Sequence, residues 1–222
     1  MKKLVVFIGL MAILLCLSQA RAEENDKRFA LSFGFGQTVP TNPALKELAG
    51  GSAKSTIVGF GYRFGKTSYS TFNLVVQIMG LPLRGNEWIF VSDPNGMQRS
   101  HYADWDWTAA VLYVKMNVGK GSLTPFVEMG GGVYHLSVEY PFPQFFEQNG
   151  QWYFQWEIRN IAETYPGFIA GAGLQLTLGE LSILGGIEYN VISMKPALQL
   201  PLASPVSQAN IINYKLSLAI AF

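Results

Sequence analysis

Large apolar residues recur at every second position along most of the chain, with small or polar residues between them. The last segment shows the rule: Ile212, Tyr214, Leu216, Leu218, Ile220 and Phe222 alternate with Asn213, Lys215, Ser217, Ala219 and Ala221. A period of two is the strand period, because successive side chains leave a strand on opposite faces. The same alternation occupies 29–36, 58–64, 72–78, 107–118, 127–134, 168–178 and 182–191. That predicts eight strands, most of about ten residues, the length that crosses a bilayer when tilted. The connections alternate as well. Those at 65–70, 119–122 and 179–180 are short, whereas those at 37–54, 80–104, 137–167 and 193–211 are long. Short turns at one end and long loops at the other predict an all-β fold: an eight-stranded antiparallel up-and-down transmembrane β-barrel with both termini periplasmic.

Composition decides which face meets lipid. Only 14% of residues are charged, against about 25% in average soluble domains. After the first 20 residues no stretch approaches the roughly 18 apolar residues of a membrane helix. Arg63, Lys115, Glu128, Glu188 and Lys215 all fall on the face of smaller side chains. A charge facing hydrocarbon costs about 2–4 kcal/mol at the midplane, so this face points inward. Eight strands enclose a space that side chains fill. The expected interior is therefore plugged, with an ion-pair network centred on Glu128 and Glu188 and joined by Lys115, Lys215 and Arg63.

Residues 1–22 read as a signal peptide: basic Lys2 and Lys3, an apolar run over 4–15, and the small-x-small site Ala20-Arg21-Ala22. Residues 23–222 are then the barrel domain. Removal of 1–22 leaves 13 basic residues against 15 acidic, a balance that does not suggest nucleic acid. Cys16, the single cysteine, lies in the apolar run behind Leu15, where a lipoprotein signal needs a small residue. The mature chain then lacks cysteine, and no disulfide, thiolate metal site or cofactor is expected.

The run Thr124-Pro125-Phe126-Val127-Glu128-Met129-Gly130-Gly131-Gly132-Val133-Tyr134, the terminal Phe222 and the turn–loop alternation over 27–222 together resemble the small outer-membrane barrel superfamily. That superfamily includes the outer-membrane protein A transmembrane domain, outer-membrane protein X and the opacity proteins. The resemblance implies an outer-membrane location and contact with outer-membrane lipid and lipopolysaccharide. It implies that Tyr214, Leu216, Leu218, Ile220 and Phe222 form the signal read by the outer-membrane barrel assembly machinery. A monomer is expected.

Two features carry candidate chemistry. His135, Ser137 and Glu139 share the outward parity of Val133 near the long-loop rim, and a Ser–His–acid set facing lipid is what a lipid A deacylase would need. In that family the His-x-Ser pair belongs on the strand corresponding to 187–193, where Val191 stands in place of the His. The long loops contain hairpin patterns at 88–102 and 141–158, the second with Asn149-Gly150 suited to a type I′ turn. They bear Trp88, Phe90, Tyr140, Phe142, Phe145, Phe146, Trp152, Phe154 and Trp156, an aromatic extracellular surface for a protein or glycan ligand. The reading favoured is a non-enzymatic structural or surface-interaction barrel (adhesion or envelope integrity). A lipid A-modifying hydrolase and a narrow small-solute channel are the alternatives.

Overall fold

The computed structural model describes residues 27–43, 46, 51–92, 98–194 and 207–222, with backbone alone at 81–92, 98–105, 140, 141 and 161. The expected signal peptide lies outside the described residues. Eight strands run in chain order: β1 (Phe29–Pro40), β2 (Ala53–Lys66), β3 (Ser70–Ser92), β4 (Gln98–Val118), β5 (Leu123–Gln148), β6 (Gln151–Leu178), β7 (Leu181–Ser193) and β8 (Gln208–Ala221). Each pairs antiparallel with its neighbours, and β8 closes on β1 from Ala30↔Ala221 to Pro40↔Ile211. Phe29 and Phe222 complete the seam with a reciprocal pair of backbone bonds, 2.9 and 3.2 Å. Closure leaves no free edge around the barrel wall, the condition hydrocarbon imposes on a backbone.

The outward face matches the alternation. Val76, Ile78, Leu112, Val114, Met129, Leu174, Leu216 and Leu218 are exposed and form an apolar belt. Soluble proteins rarely expose so large a continuous apolar surface. The inward face is layered. At the long-loop end Trp107, Tyr134, Leu136, Val138, Tyr165, Ile169, Ile192 and Ile211 pack with Met79 as an apolar plug. Below it lies a polar layer around Glu188 and Lys215, then a small cluster of Phe126, Leu184 and Ala219. Glycine makes two of these contacts possible. A Cβ at Gly167 would come 2.4 Å from the Tyr134 ring, and one at Gly171 would come 2.7 Å from the Glu128 carboxylate.

Four strands, β3 to β6, have 21–28 residues, at least twice the expected spans of about ten. The ladders β3–β4 and β5–β6 continue beyond the barrel wall, to Ser92↔Gln98 and Gln148↔Gln151. Residues 80–104 and 137–167 are therefore mostly strand, because the hairpins they contain pair in register with the spanning segments below. Only a shift between Arg84 and Trp88 interrupts the first ladder.

Candidate functional sites: barrel interior, outward rim and projecting ribbon

Lys215 lies at the centre of the lumen. Its Nζ donates to Glu128 Oε1 at 2.6 Å and also to Glu188 Oε1. Glu188 is fully buried and both its oxygens are engaged: Oε1 accepts from Gln77 (3.1 Å) as well, and Oε2 accepts from Asn213 (3.1 Å). Tyr113 Oη donates to Gln77 at 2.9 Å, while Asn213 Oδ1 accepts from Ser55 (2.9 Å) and Thr38 (3.3 Å). These side chains come from every strand but β6, whose share is the space left by Gly171. Such a web can fix the register of seven strands at once. A buried ion pair offsets its desolvation only when its remaining donors and acceptors find partners, and this one largely does so.

The other two inward cations lie lower. Lys115 faces Glu128 across the β4–β5 ladder, but its Nζ donates to Gln175 at 2.9 Å and sits 5.2 Å above the Phe126 ring. Arg63 lies at the open, short-turn end of the lumen. Gln77, Tyr113 and Asn213 were missing from the residues the sequence singled out. The available signal was polarity at an inward position: Gln77 stands between Val75 and Met79, where an apolar residue would otherwise fill the core.

On the outer face His135 and Glu139 are exposed and Ser137 is half-buried. His135 Nδ1 lies 3.0 Å from Thr164 Oγ1, and Ser137 Oγ donates to Asn160 Oδ1 at 3.3 Å. Each bond crosses to β6; no hydrogen bond joins His135 to Ser137 among the described residues. The three residues belong to a polar band above the apolar belt, with Asp106, Thr108, Asn160 and Thr164 on the same face. Among the described residues no group of histidine, cysteine and carboxylate side chains could hold a metal.

Above that band β5 and β6 leave the wall. β4 pairs with β5 only as far as Asp104↔Glu139, and β7 pairs with β6 only from Gly167↔Ile192. Residues 140–159 of the hairpin therefore form a two-stranded ribbon. Its tip is Asn149-Gly150 with φ of 55° and 75°, the two positive angles a type I′ turn requires. The face continuous with the lipid side carries Pro143 opposite Trp156, Phe145 opposite Phe154, and Trp152. Phe145 and Phe154 lie 5.4 Å apart, and Phe154 meets Trp156 edge-on at 4.9 Å. The other face carries Phe146 stacked on Tyr153 at 5.6 Å, and Phe142 beneath the Arg159 guanidinium at 3.7 Å. Trp88 and Phe90 lie on β3 opposite Tyr102 and Ser100, and Tyr140 lies opposite Arg159. The side chains of Trp88, Phe90 and Tyr140 fall outside the described residues.

The closed ladder, the apolar belt and the short-turn, long-hairpin polarity can be compared with solved structures. Neisserial surface protein A superposes with a TM-score of 0.54 at 13% identity, over 87% of this chain and 97% of that one. The chain has the fold of the small eight-stranded outer-membrane barrels. Two further similar structures are Ail, the attachment invasion locus protein of Yersinia pestis (TM-score 0.49, 12% identity, 89% of this chain and 99% of that one), and the outer membrane enzyme PagL (0.43, 16%, 87% and 99%). No protein-family model and no curated protein sequence matches the chain. Within this outer-membrane fold, Tyr214, Leu216, Leu218 and Ile220 lie on the exposed outer face of the closing strand, and Phe222 stacks on Phe29 at 6.1 Å.

Proposed function

We propose that the chain is a non-enzymatic surface-interaction barrel whose plugged body holds the β5–β6 ribbon outside the cell. The observation that carries this reading is the ribbon itself: an anchored hairpin with aromatic side chains on both faces and, among the described residues, no neighbouring strand on either edge. Aromatic side chains give a binding surface large contact area at low entropic cost. Protein and glycan surfaces, and the lipopolysaccharide around the barrel, are the ligands such a face suits. In this reading residues 1–22 are removed on export, both termini are periplasmic, the assembly machinery reads the 214–222 pattern, and the barrel works as a monomer. The apolar plug supports a closed interior over a channel. The outward pairing of His135 with Thr164 and of Ser137 with Asn160 supports a polar headgroup band over a catalytic set.

The test compares cells displaying the native chain with cells displaying Phe145→Ser/Phe154→Ser/Trp156→Ser, at matched outer-membrane yield. Binding to immobilised host-matrix proteins and glycans should fall to background with the triple variant. Undiminished binding, or no binding by the native chain, removes the ribbon from the reading. Mass spectrometry of lipid A from the same cells separates the hydrolase alternative: a lost acyl chain that returns with Ser137→Ala selects the enzyme.

A further inference from the structure

At the short-turn end the lumen widens into a basin of about 720 Å³. Among the described residues its wall carries Lys27, Lys66, Lys115 and Lys120, together with Arg28 and Arg63, which have contacts of their own, and no aspartate or glutamate. Among the described residues the acids nearest to it are already engaged. Glu128 and Glu188 lie above, on Lys215, and Glu180 at the outer rim is bonded to Lys27. Between the cations the wall presents neutral polar groups, among them Asn73, Asn117, Gln175 and Ser182.

The basin has one way in. Above it Phe126 is 1% exposed, and higher still the apolar plug fills the lumen. The described lining charges are all positive, and a cup of one sign walled by protein focuses its field on the mouth and concentrates counter-ions there. Lys115 is set deepest in this arrangement. It donates one hydrogen bond, to Gln175, and has no carboxylate within ion-pair distance among the described residues. An ammonium has three donors. An ordinary structural lysine at an inward position would close on an acid, as Lys215 does on two.

We infer that this basin is a binding site for a multiply charged, phosphate-bearing anion. Several lysines spread around one cup suit a ligand with more than one negative oxygen, and ammonium groups bind phosphate by charge-assisted hydrogen bonds. The volume lies within the range of small-molecule sites, which is larger than one phosphate needs and fits a diphosphate or a phosphorylated glycerol or sugar. Because the plug blocks onward passage, the site holds its ligand rather than conducting it. The phosphate can belong to a soluble molecule or to the headgroup of a lipid in the leaflet at that end.

The test uses the full barrel refolded in zwitterionic detergent and titrated with inorganic pyrophosphate by calorimetry at low salt. Saturable binding with one site is expected, weakening as salt is raised. Lys115→Met should weaken it about tenfold, the loss of roughly one charge-assisted contact. Lys66→Met/Lys120→Met changes only exposed rim residues and should weaken binding while leaving the unfolding midpoint unchanged, so it reports even if Lys115→Met fails to fold. The titration is repeated in phosphatidylcholine nanodiscs with and without phosphatidylglycerol. Weaker apparent pyrophosphate affinity with phosphatidylglycerol identifies a lipid headgroup as the source; equal affinity identifies a soluble anion. No saturable binding at millimolar pyrophosphate, or native affinity in the rim variant, overturns the inference.

Discussion

Strands β5 and β6 run as one unbroken ladder through two different settings. Below Glu139↔Asn160 they are part of a closed wall with lipid on one side and packed lumen on the other. Each side chain there meets one of two unlike media, and the alternation is clean: Val127, Met129 and Val133 exposed, Phe126, Glu128 and Tyr134 buried. Above that level the same ladder has the same surroundings on both faces. Alternation no longer separates inside from outside, and aromatics occupy both sides, Phe145 and Phe154 on one, Phe146 and Tyr153 on the other. A two-stranded hairpin alone is marginal in water. This one is held by its root in the barrel and by cross-strand aromatic pairs, each contributing roughly 0.2–1 kcal/mol. Period two therefore reports a difference between two media, and it loses meaning where the media are the same.

If the barrel and the ribbon are separate in energy, interior substitutions should dominate stability. Lys215→Met leaves two buried carboxylates without their shared cation and should cost at least about 3–5 kcal/mol. Urea unfolding in lipid vesicles should show the lowest midpoint of any variant considered, or no folded barrel. Glu188→Gln should follow, and it should exceed Glu128→Gln. Glu188 uses both oxygens on three partners, Lys215, Gln77 and Asn213, whereas Glu128 Oε2 is buried without a hydrogen-bond partner among the described residues. Equal effects of the two acids would mean that charge balance alone, and not the hydrogen-bond web, holds the layer together.

The plug is the next test. Trp107 is 1% exposed and packs against Tyr165, ring centroids 6.4 Å apart. Trp107→Ala should cost about 3–5 kcal/mol, the usual range for a buried tryptophan. Trp107→Ala/Tyr134→Ala should also admit ions, seen as single-channel conductance in a planar bilayer where the native chain is silent. Conductance by the native chain at the same level would put the narrow-channel alternative ahead of the plugged barrel.

How much of this was legible beforehand depended on what alternation encodes. It encodes the face of each residue, so Lys115, Glu128, Glu188 and Lys215 could be placed together inside the barrel. It does not encode strand stagger, which decides who meets whom across the lumen. Lys115 is the register partner of Glu128, yet the Glu128 carboxylate bonds Lys215 on β8, and Lys115 bonds Gln175 on β6. The apolar plug was hidden for a related reason. Large apolar residues were read as lipid-facing, so Ile169, Ile192 and Ile211, all inward, gave no sign of a core. The Asn149-Gly150 turn was readable because its chemistry is local: two residues that tolerate positive φ, between two strand-like runs.

The smallest global effect belongs to the ribbon tip. Gly150 has a φ of 75°, and a β-branched residue is disfavoured in that region by about 1–2 kcal/mol. Gly150→Val should therefore loosen the ribbon. Its strain falls on residues 140–159, whose ladder bonds among the described residues join only each other, so little of the cost is shared with the closed wall. Local opening draws on the least stable cooperative unit of a structure. Hydrogen exchange should accordingly quicken at amides of 142–157 while those of 108–118 and 126–134 keep native protection. The urea midpoint should stay within error of the native value. If instead the midpoint falls as far as it does in Glu188→Gln, ribbon and barrel unfold as one unit. The aromatic hairpin would then be part of what stabilises the barrel, and its open edges would no longer argue for a partner.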